Sequence, residues 1–432
     1  MKIFYHQRKH RKILNNQTYK KKQENGNLDQ HLVFLYALST LVVKTIMKKV
    51  NAHLHTPYSF SAFTDVNQAL DMAVAEGVKV VGINDFYSTA GYEAWANGCK
   101  ERGLYPLFNI EFISLNEADQ QAGLRVNDPG NPGRTYLSGK GLSYPFVLAE
   151  PFATQLADVS AEANAQVEAM CGKVNEILVA NNAGFSLDFE WIKNDLTKGS
   201  IRERHLAKAL RLKVYEACGN DAAKIQELFA KLFAGKDLKS SIEDIAGVEN
   251  EIRGNLLKAG GGAFVAEDPK AFLPMQTVCD IIVAGGGIPT YPFLADDAKG
   301  GYTDFENDLE RVVKQLTERG FHSVEFITTR NGVELLEKYA SYLHDQGFVV
   351  TFGSEHNTPA MEPIELFARN STPLTDRLMQ INYEGVCVVA AHQHLVAQGL
   401  RGYVDANGQA DRSKRAEFIK LGDELIQNSV GV

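Results

Sequence analysis

The chain has 432 residues, 44% of them apolar and 23% charged, the balance of an ordinary globular protein with room for one large domain or two. Its net charge of −8 is unevenly spread: residues 1–46 carry +7, which leaves −15 for 47–432 and excludes an extended nucleic-acid surface from the body of the protein. Five scattered cysteines, none in a C-x-x-C, exclude a disulfide framework and point to a reducing, cytoplasmic setting.

Residues 1–46 are basic and polar, with few apolar positions, and are expected to be disordered. The apolar run HLVFLYALSTLVV (31–43) is too short for a spanning helix, which needs about 20 residues. The preferred reading is an extension upstream of a natural start at Met47; a secretory signal or anchor is the second. No membrane association is expected of the rest.

The first strand, near residue 49, ends in VNAHLHTPYSF. Side chains on a strand alternate faces, so His53 and His55 point to one side, where a divalent metal would suit two neutral imidazoles. A strand end where the two rings merely meet water is the plain alternative. Thr64 is placed to cap a helix with Ala69, Leu70, Ala73 and Val74 on its apolar stripe, and Gly77 stops it before VKVVGIN, a buried strand.

The same helix–glycine–strand punctuation returns in ERGLYPLFNIEF, ERGFHSVEFIT and DQGFVVTFGSE, and AGGGIPTYPF gives one more strand. Strands alternating with helices imply a parallel sheet, and this many imply an α/β fold closed as a TIM-like barrel, with a first part at 47–152 and a second at 263–432. From 153 to 262 only helical stripes occur, so an all-helical insertion separates the two parts. The segment 126–142 is rich in Gly, Pro and Asn and reads as a loop offering Asp128, Arg134 and Lys140 to a substrate. Arg134 is the best phosphate candidate, because a guanidinium binds phosphate through two hydrogen bonds. His392 and His394 repeat the H-x-H spacing but fall on a helix, where residues two apart diverge; they are read as non-ligands.

In such barrels chemistry gathers at the strand ends. Those ends supply His53 and His55, Asp85, Glu111, and Glu355 with His356. Singly, Asp85 reads equally as a helix cap, Glu111 as a surface carboxylate and His356 as a loop histidine. Together, three imidazoles and three carboxylates on one edge suit a divalent metal.

The order of these motifs resembles the polymerase-and-histidinol-phosphatase (PHP) family of metal-dependent phosphoesterases, in particular the branch with an inserted helical region that hydrolyses nucleotide phosphates. HLHTPYSFS stands at that family's opening H-x-H, VVGINDF at its T-D-H, NIEF at its ligating glutamate, SIRERHLAKAL at its insertion helix with a ligand histidine, and FGSEHN at its G-S-D-x-H. The resemblance implies a distorted (β/α)7 barrel that binds Mn, Fe or Zn through His53, His55, Glu111, His205, Glu355 and His356. It implies a small phosphorylated metabolite or nucleotide as substrate, with Asp85 at the T-D-H position acting on it, while Tyr291 or Arg134 is expected to stabilise charge that a third cation stabilises in that family.

The departures are Phe86 for the T-D-H histidine, Tyr291 in place of A-H-P, Thr328 where a histidine is expected, Glu355 for Asp, and Asn357 for the last histidine. They reduce the expected metal count to one or two. The alternative function is a barrel that has lost catalysis and binds a ligand or metal.

Overall fold

A computed structural model describes residues 47–198, 200–296 and 303–430. The expected disorder of 1–46 lies outside the described residues. The body of the chain, from Lys48 onward, forms one compact unit.

The strands of its main sheet are β1 (Lys49–Leu54), β2 (Val78–Phe86), β3 (Tyr105–Leu115), β4 (Arg134–Lys140), the two-residue β5 (Leu273–Pro274), β6 (Ile288–Phe293), β7 (Ser323–Ile327) and β8 (Val349–Gly353). They pair in the order β1-β2-β3-β4-β6-β7-β8, with β5 beside β3. All these pairings are parallel except that β4 runs antiparallel to both β3 and β6. The segment read as a loop from its Gly, Arg and Ser content is therefore in part a strand. RTYLSGK returns along β3 as a hairpin arm, and partner strands on both sides override its weak strand propensity.

The sheet closes at the ends of β1 and β8. The His55 N–H donates to the Glu355 carbonyl at 2.7 Å, and Glu355 N–H donates to the His53 carbonyl at 3.2 Å. Gly353 permits this approach, since a Cβ there would lie 2.2 Å from the His53 Cβ. The result is a nearly closed seven-strand barrel.

Helices α1 (Val66–Ala75), α2 (Tyr92–Arg102) and the short α3 (Glu117–Gln121) follow β1, β2 and β3. Asp65, not Thr64, caps α1 by accepting from Gln68 N–H, and Val74 is exposed rather than part of the buried stripe. Between β4 and β5 the described residues hold helices only: α4 (Phe152–Ala180), α5 (Phe189–Asp195), α6 (Glu203–Ala217), α7 (Ala222–Leu232), α8 (Ile245–Ile252), a π-helical turn at 253–257 and a 3-10 turn at Pro269–Ala271. They enclose a core of their own, including Met170, Val174, Leu206, Leu210, Phe229 and Ile252. The chain then re-enters the barrel through α9 (Met275–Ala284), α10 (Leu309–Glu318) and α11 (Val333–Asp345), and ends in α12 (Asp376–Ala397) and α13 (Arg415–Val430).

Helix α12 sets which end of the barrel is open. Its Tyr383, Val386, Cys387 and Ala390 share one core with Val50, Val80, Leu107, Ile288 and Val349, the inward residues at the strand starts. At Gly385 an added Cβ would lie 1.9 Å from the Val350 carbonyl, so the helix lies hard against the barrel. With the starts plugged, polar inward residues collect at the strand ends. No helix among the described residues is long and apolar enough to cross a membrane.

Candidate metal centre

At the end of β1, His53 and His55 turn their Nε2 atoms toward each other at 3.2 Å. Glu111, inward-facing on β3, brings Oε2 to 3.0 Å from His55 Nε2 and 3.7 Å from His53 Nε2. The three donor atoms lie within 4.8 Å of one another, and all three side chains are buried.

Hydrogen-bond partners assign the proton on each ring. His53 Nδ1 lies 3.0 Å from Glu325 Oε2, a carboxylate that only accepts, so Nδ1 carries the hydrogen. Ser59 donates its hydroxyl to Asp85 at 2.6 Å, which leaves its oxygen to accept from His55 Nδ1 at 3.3 Å. Both Nε2 atoms are thereby left as lone pairs, aimed at each other and at a carboxylate, and the Asn84 amide donates toward that of His53 at 3.1 Å. Glu111 Oε2 is itself buried with no hydrogen-bond partner. Burial pushes the Glu111 carboxyl well above its usual range and lowers the His55 imidazole. Two imidazole nitrogens and a carboxylate oxygen that converge in this way fit a divalent cation of the borderline class that takes N and O ligands.

Two buried groups hold the rings in place. Behind His53, Glu325 pairs with Lys140 at 2.5 Å and accepts from Ser138, all of it with no solvent exposure. Lys140 also donates to the Ala52 carbonyl and to Asn84, each at 3.2 Å. Burial alone would raise the Glu325 carboxyl, but Lys140 and His53 hold it well below the usual range. Behind His55, Asp85 accepts from Thr56 N–H at 2.7 Å, Thr56 Oγ at 2.5 Å and Ser59. Carboxylates in this outer position fix ring orientation and tautomer in metal sites.

The other residues expected at the centre are placed differently. Glu355 has its carboxylate on Arg330 at 2.5 Å and stands outside the three-atom set. His356 turns both ring nitrogens into its own loop, to Ser354 at 2.9 Å and the Glu362 carbonyl at 2.8 Å. His205 accepts the Arg202 N–H on Nδ1 at 2.9 Å, capping α6, which puts its hydrogen on Nε2 and leaves no lone pair for a metal. Asp85 is not beside the three donors; it faces outward, paired across the sheet with Ile110, and works through Thr56 and Ser59.

Tyr291 likewise faces away from the barrel. It pairs with Val324 on the sheet's outer side, packs among Phe293, Phe305 and Phe321, and donates to Glu306 at 2.8 Å. Arg134 is ion-paired with Glu267 at 2.7 Å and stacked over Phe272, away from the cleft. Lys140 is no loop residue but an inward side chain of β4. Asp128 does line the cleft, yet its oxygens cap its own turn through Gly130, Asn131 N–H and the Asn131 amide. His392, on α12, fastens the Gly286 carbonyl and the Tyr403 N–H, a structural role.

The sequence reading missed Glu325, Arg202 and Arg204. A carboxylate amid the apolar strand SVEFI was the available signal for the first, because a fully buried charge requires a partner.

Two of the three donor residues, His53 and Glu111, line a cleft of about 830 Å³ between the barrel mouth and the helical insertion, and Arg202, Arg204 and Arg253 line it too. The chain matches no family model and no curated protein sequence. Among solved structures it is similar to an amidohydrolase from Chromobacterium violaceum, determined with bound sulfate and no metal, at 16% identity and TM-score 0.49 over 77% of this chain and 96% of that one. It is similar also to a provisionally assigned metal-dependent phosphoesterase from Bifidobacterium adolescentis, at 14% identity and TM-score 0.48 over 77% of this chain and 95% of that one.

Proposed function

We propose that this chain is a metal-dependent hydrolase of small phosphate esters, built on a PHP-type barrel. The observation that carries the proposal is the buried set of His53 Nε2, His55 Nε2 and the unpartnered Glu111 Oε2, two members of which, His53 and Glu111, line an arginine-bearing cleft. A divalent ion held by these residues supplies Lewis acidity and activates water. Glu325 and Asp85 keep the imidazole lone pairs on target by holding hydrogen on Nδ1 of each ring, the second through Ser59. Phe86 stacks on His55 at 5.0 Å and keeps water from that side of the ring. The arginines that line the cleft draw an anionic ester into it. With three protein ligands the centre suits one ion, the lower of the two counts expected from sequence.

The test is elemental analysis of the purified full chain after incubation with Mn, Fe or Zn, followed by a panel of small phosphate esters. The expected result is one ion per chain and hydrolysis of at least one ester. His55→Ala should lose the ion and His205→Gln should keep it. A chain that binds no divalent ion overturns the proposal. One that binds an ion but hydrolyses no ester overturns the catalytic half and favours a ligand-binding barrel.

A further inference from the structure

The arginines of the cleft are not equivalent. Arg330 is neutralised by Glu355 at 2.5 Å, Arg253 by Glu203 at 2.6 Å and Arg369 by Asp296 at 2.8 Å. Among the described residues no carboxylate lies within ion-pair distance of the Arg202 or Arg204 guanidinium. These two flank Glu203 at the start of α6, so the helical insertion delivers both to the same cleft wall.

Each is held by an aromatic face rather than by hydrogen bonds. The Arg202 guanidinium lies over Phe86 at 4.8 Å and beside Tyr87 at 5.9 Å; that of Arg204 lies over Phe60 at 5.6 Å. A cation–π contact uses the flat face of a guanidinium and leaves its N–H edge free. Arg204 Nη1 is also buried with no hydrogen-bond partner, and burial, with Arg253 nearby, lowers the group's pKa to about 10. Two partly desolvated like charges without acceptors are costly unless an anion joins them.

The aromatic stack also sets the distance of Arg202 from the donors. Phe86 lies between Arg202, at 4.8 Å, and the His55 ring, at 5.0 Å, so the free cation stands one ring away from the three-acceptor set.

We propose that Arg202 and Arg204 form an oxyanion clamp for the phosphoryl group of the substrate, in the cleft that His53 and Glu111 also line. This assignment rests on the phosphate-ester reading and gives the insertion a part in it. A phosphoryl group suits the pair because its several oxygens accept from two guanidinium edges at once, whereas a carboxylate occupies one. Positive charge that a single metal does not supply then comes from the chain itself.

Isothermal titration with inorganic phosphate on the full chain, as isolated and after metal loading, tests the clamp without requiring turnover. The expected result is saturable binding, weakened at least tenfold in Arg204→Gln and in Arg202→Gln. Arg204→Lys should recover only part of the loss, since an ammonium lacks the fork. Metal content and far-UV circular dichroism should match the parent in all three. Wild-type protein that takes up no phosphate at tens of millimolar overturns the clamp, as does phosphate binding unchanged in both glutamine variants. If either glutamine variant fails to fold, the lysine variant and the salt dependence of wild-type binding decide: binding that does not weaken with added chloride overturns the clamp. The phosphate-ester reading fails separately, in the absence of ester hydrolysis by metal-loaded protein that still binds phosphate.

Discussion

The carboxylate of Glu325 meets His53 Nδ1 at 3.0 Å on one side and Lys140 Nζ at 2.5 Å on the other, wholly inside the barrel. One side chain thus orients a proposed metal ligand and neutralises a buried ammonium. These tasks separate on mutation. Glu325→Gln keeps the shape but removes the charge that fixes the His53 tautomer, and metal affinity should fall 10–100-fold by titration with a competing chelator. Glu325→Leu leaves Lys140 unpaired and should cost about 3–5 kcal/mol in urea unfolding. Combining it with Lys140→Met should recover most of that stability and none of the metal affinity. A double variant no more stable than Glu325→Leu would mean that the ion pair is not what the loss reports.

Tyr291 offers the converse case, a side chain whose sequence position suggests chemistry and whose orientation excludes contact with the centre. Its hydroxyl is one of three donors to Glu306, with Leu294 N–H at 3.0 Å and Ala295 N–H at 2.8 Å. Burial pushes the Glu306 carboxyl up to about 7. Tyr291→Phe should leave metal content and turnover unchanged while costing about 1–3 kcal/mol of stability. The cost should be larger at pH 8, where Glu306 is ionised and most needs its donors, than at pH 5. A turnover loss at unchanged stability would return the phenol to the reaction.

How far the sequence discloses this architecture depends on whether a residue's role is set locally or across the barrel. Glycine stops, β-branched runs and the H-x-H spacing act within a few residues, so the strand–helix alternation, the helical segment after residue 152 and the His53–His55 pair could be read directly. The β4 strand could not, because its stability comes from neighbours at Ile110–Leu115 and Ile288–Thr290. Facing was legible only relative to a known inward residue. Asn84 and Asp85 are adjacent, and the barrel takes Asn84 inside; along β6, Thr290 and Pro292 pair with inward residues and Tyr291 with an outward one. For Glu325 only the need for a partner was legible, not which one: its partners are 187 and 272 residues away, at Ser138 and His53.

His392 gives a pH dependence remote from the centre. Burial lowers its pKa to about 4, against the carbonyl of Gly286, which favours the protonated ring. In the unfolded chain the same group titrates near 6.5, so below that pH the unfolded state binds the extra proton. Its contribution is therefore complete above about pH 6.5, declines as pH falls, and is gone below about 4, a total of about 3 kcal/mol. Urea unfolding at pH 7.5 and 4.5 should show a smaller pH effect in His392→Gln than in the parent. Equal pH effects in the two proteins would mean that the ring is not held neutral.

The closure of the barrel should be as sensitive to a methyl group as the centre is to a ligand. At Gly353 an added Cβ lies 2.2 Å from the His53 Cβ and 3.0 Å from its backbone nitrogen, atoms of a strand that cannot swing aside like the end of a long side chain. Gly353→Ala must therefore push β8 from β1, straining the bonds from Ser354 and Glu355 N–H to the His53 carbonyl and displacing a proposed ligand. Overpacking of this kind costs about 1–3 kcal/mol. Metal affinity should fall with it, since the His53 Nε2 position depends on that seam. The control is Gly320→Ala: its backbone is left-handed at φ +82°, but an added Cβ meets nothing within 4 Å. It should cost about 1 kcal/mol of backbone strain and leave metal affinity intact. If the two variants lose stability equally and both keep the metal, the seam does not position His53, and the ring is held by Glu325 alone.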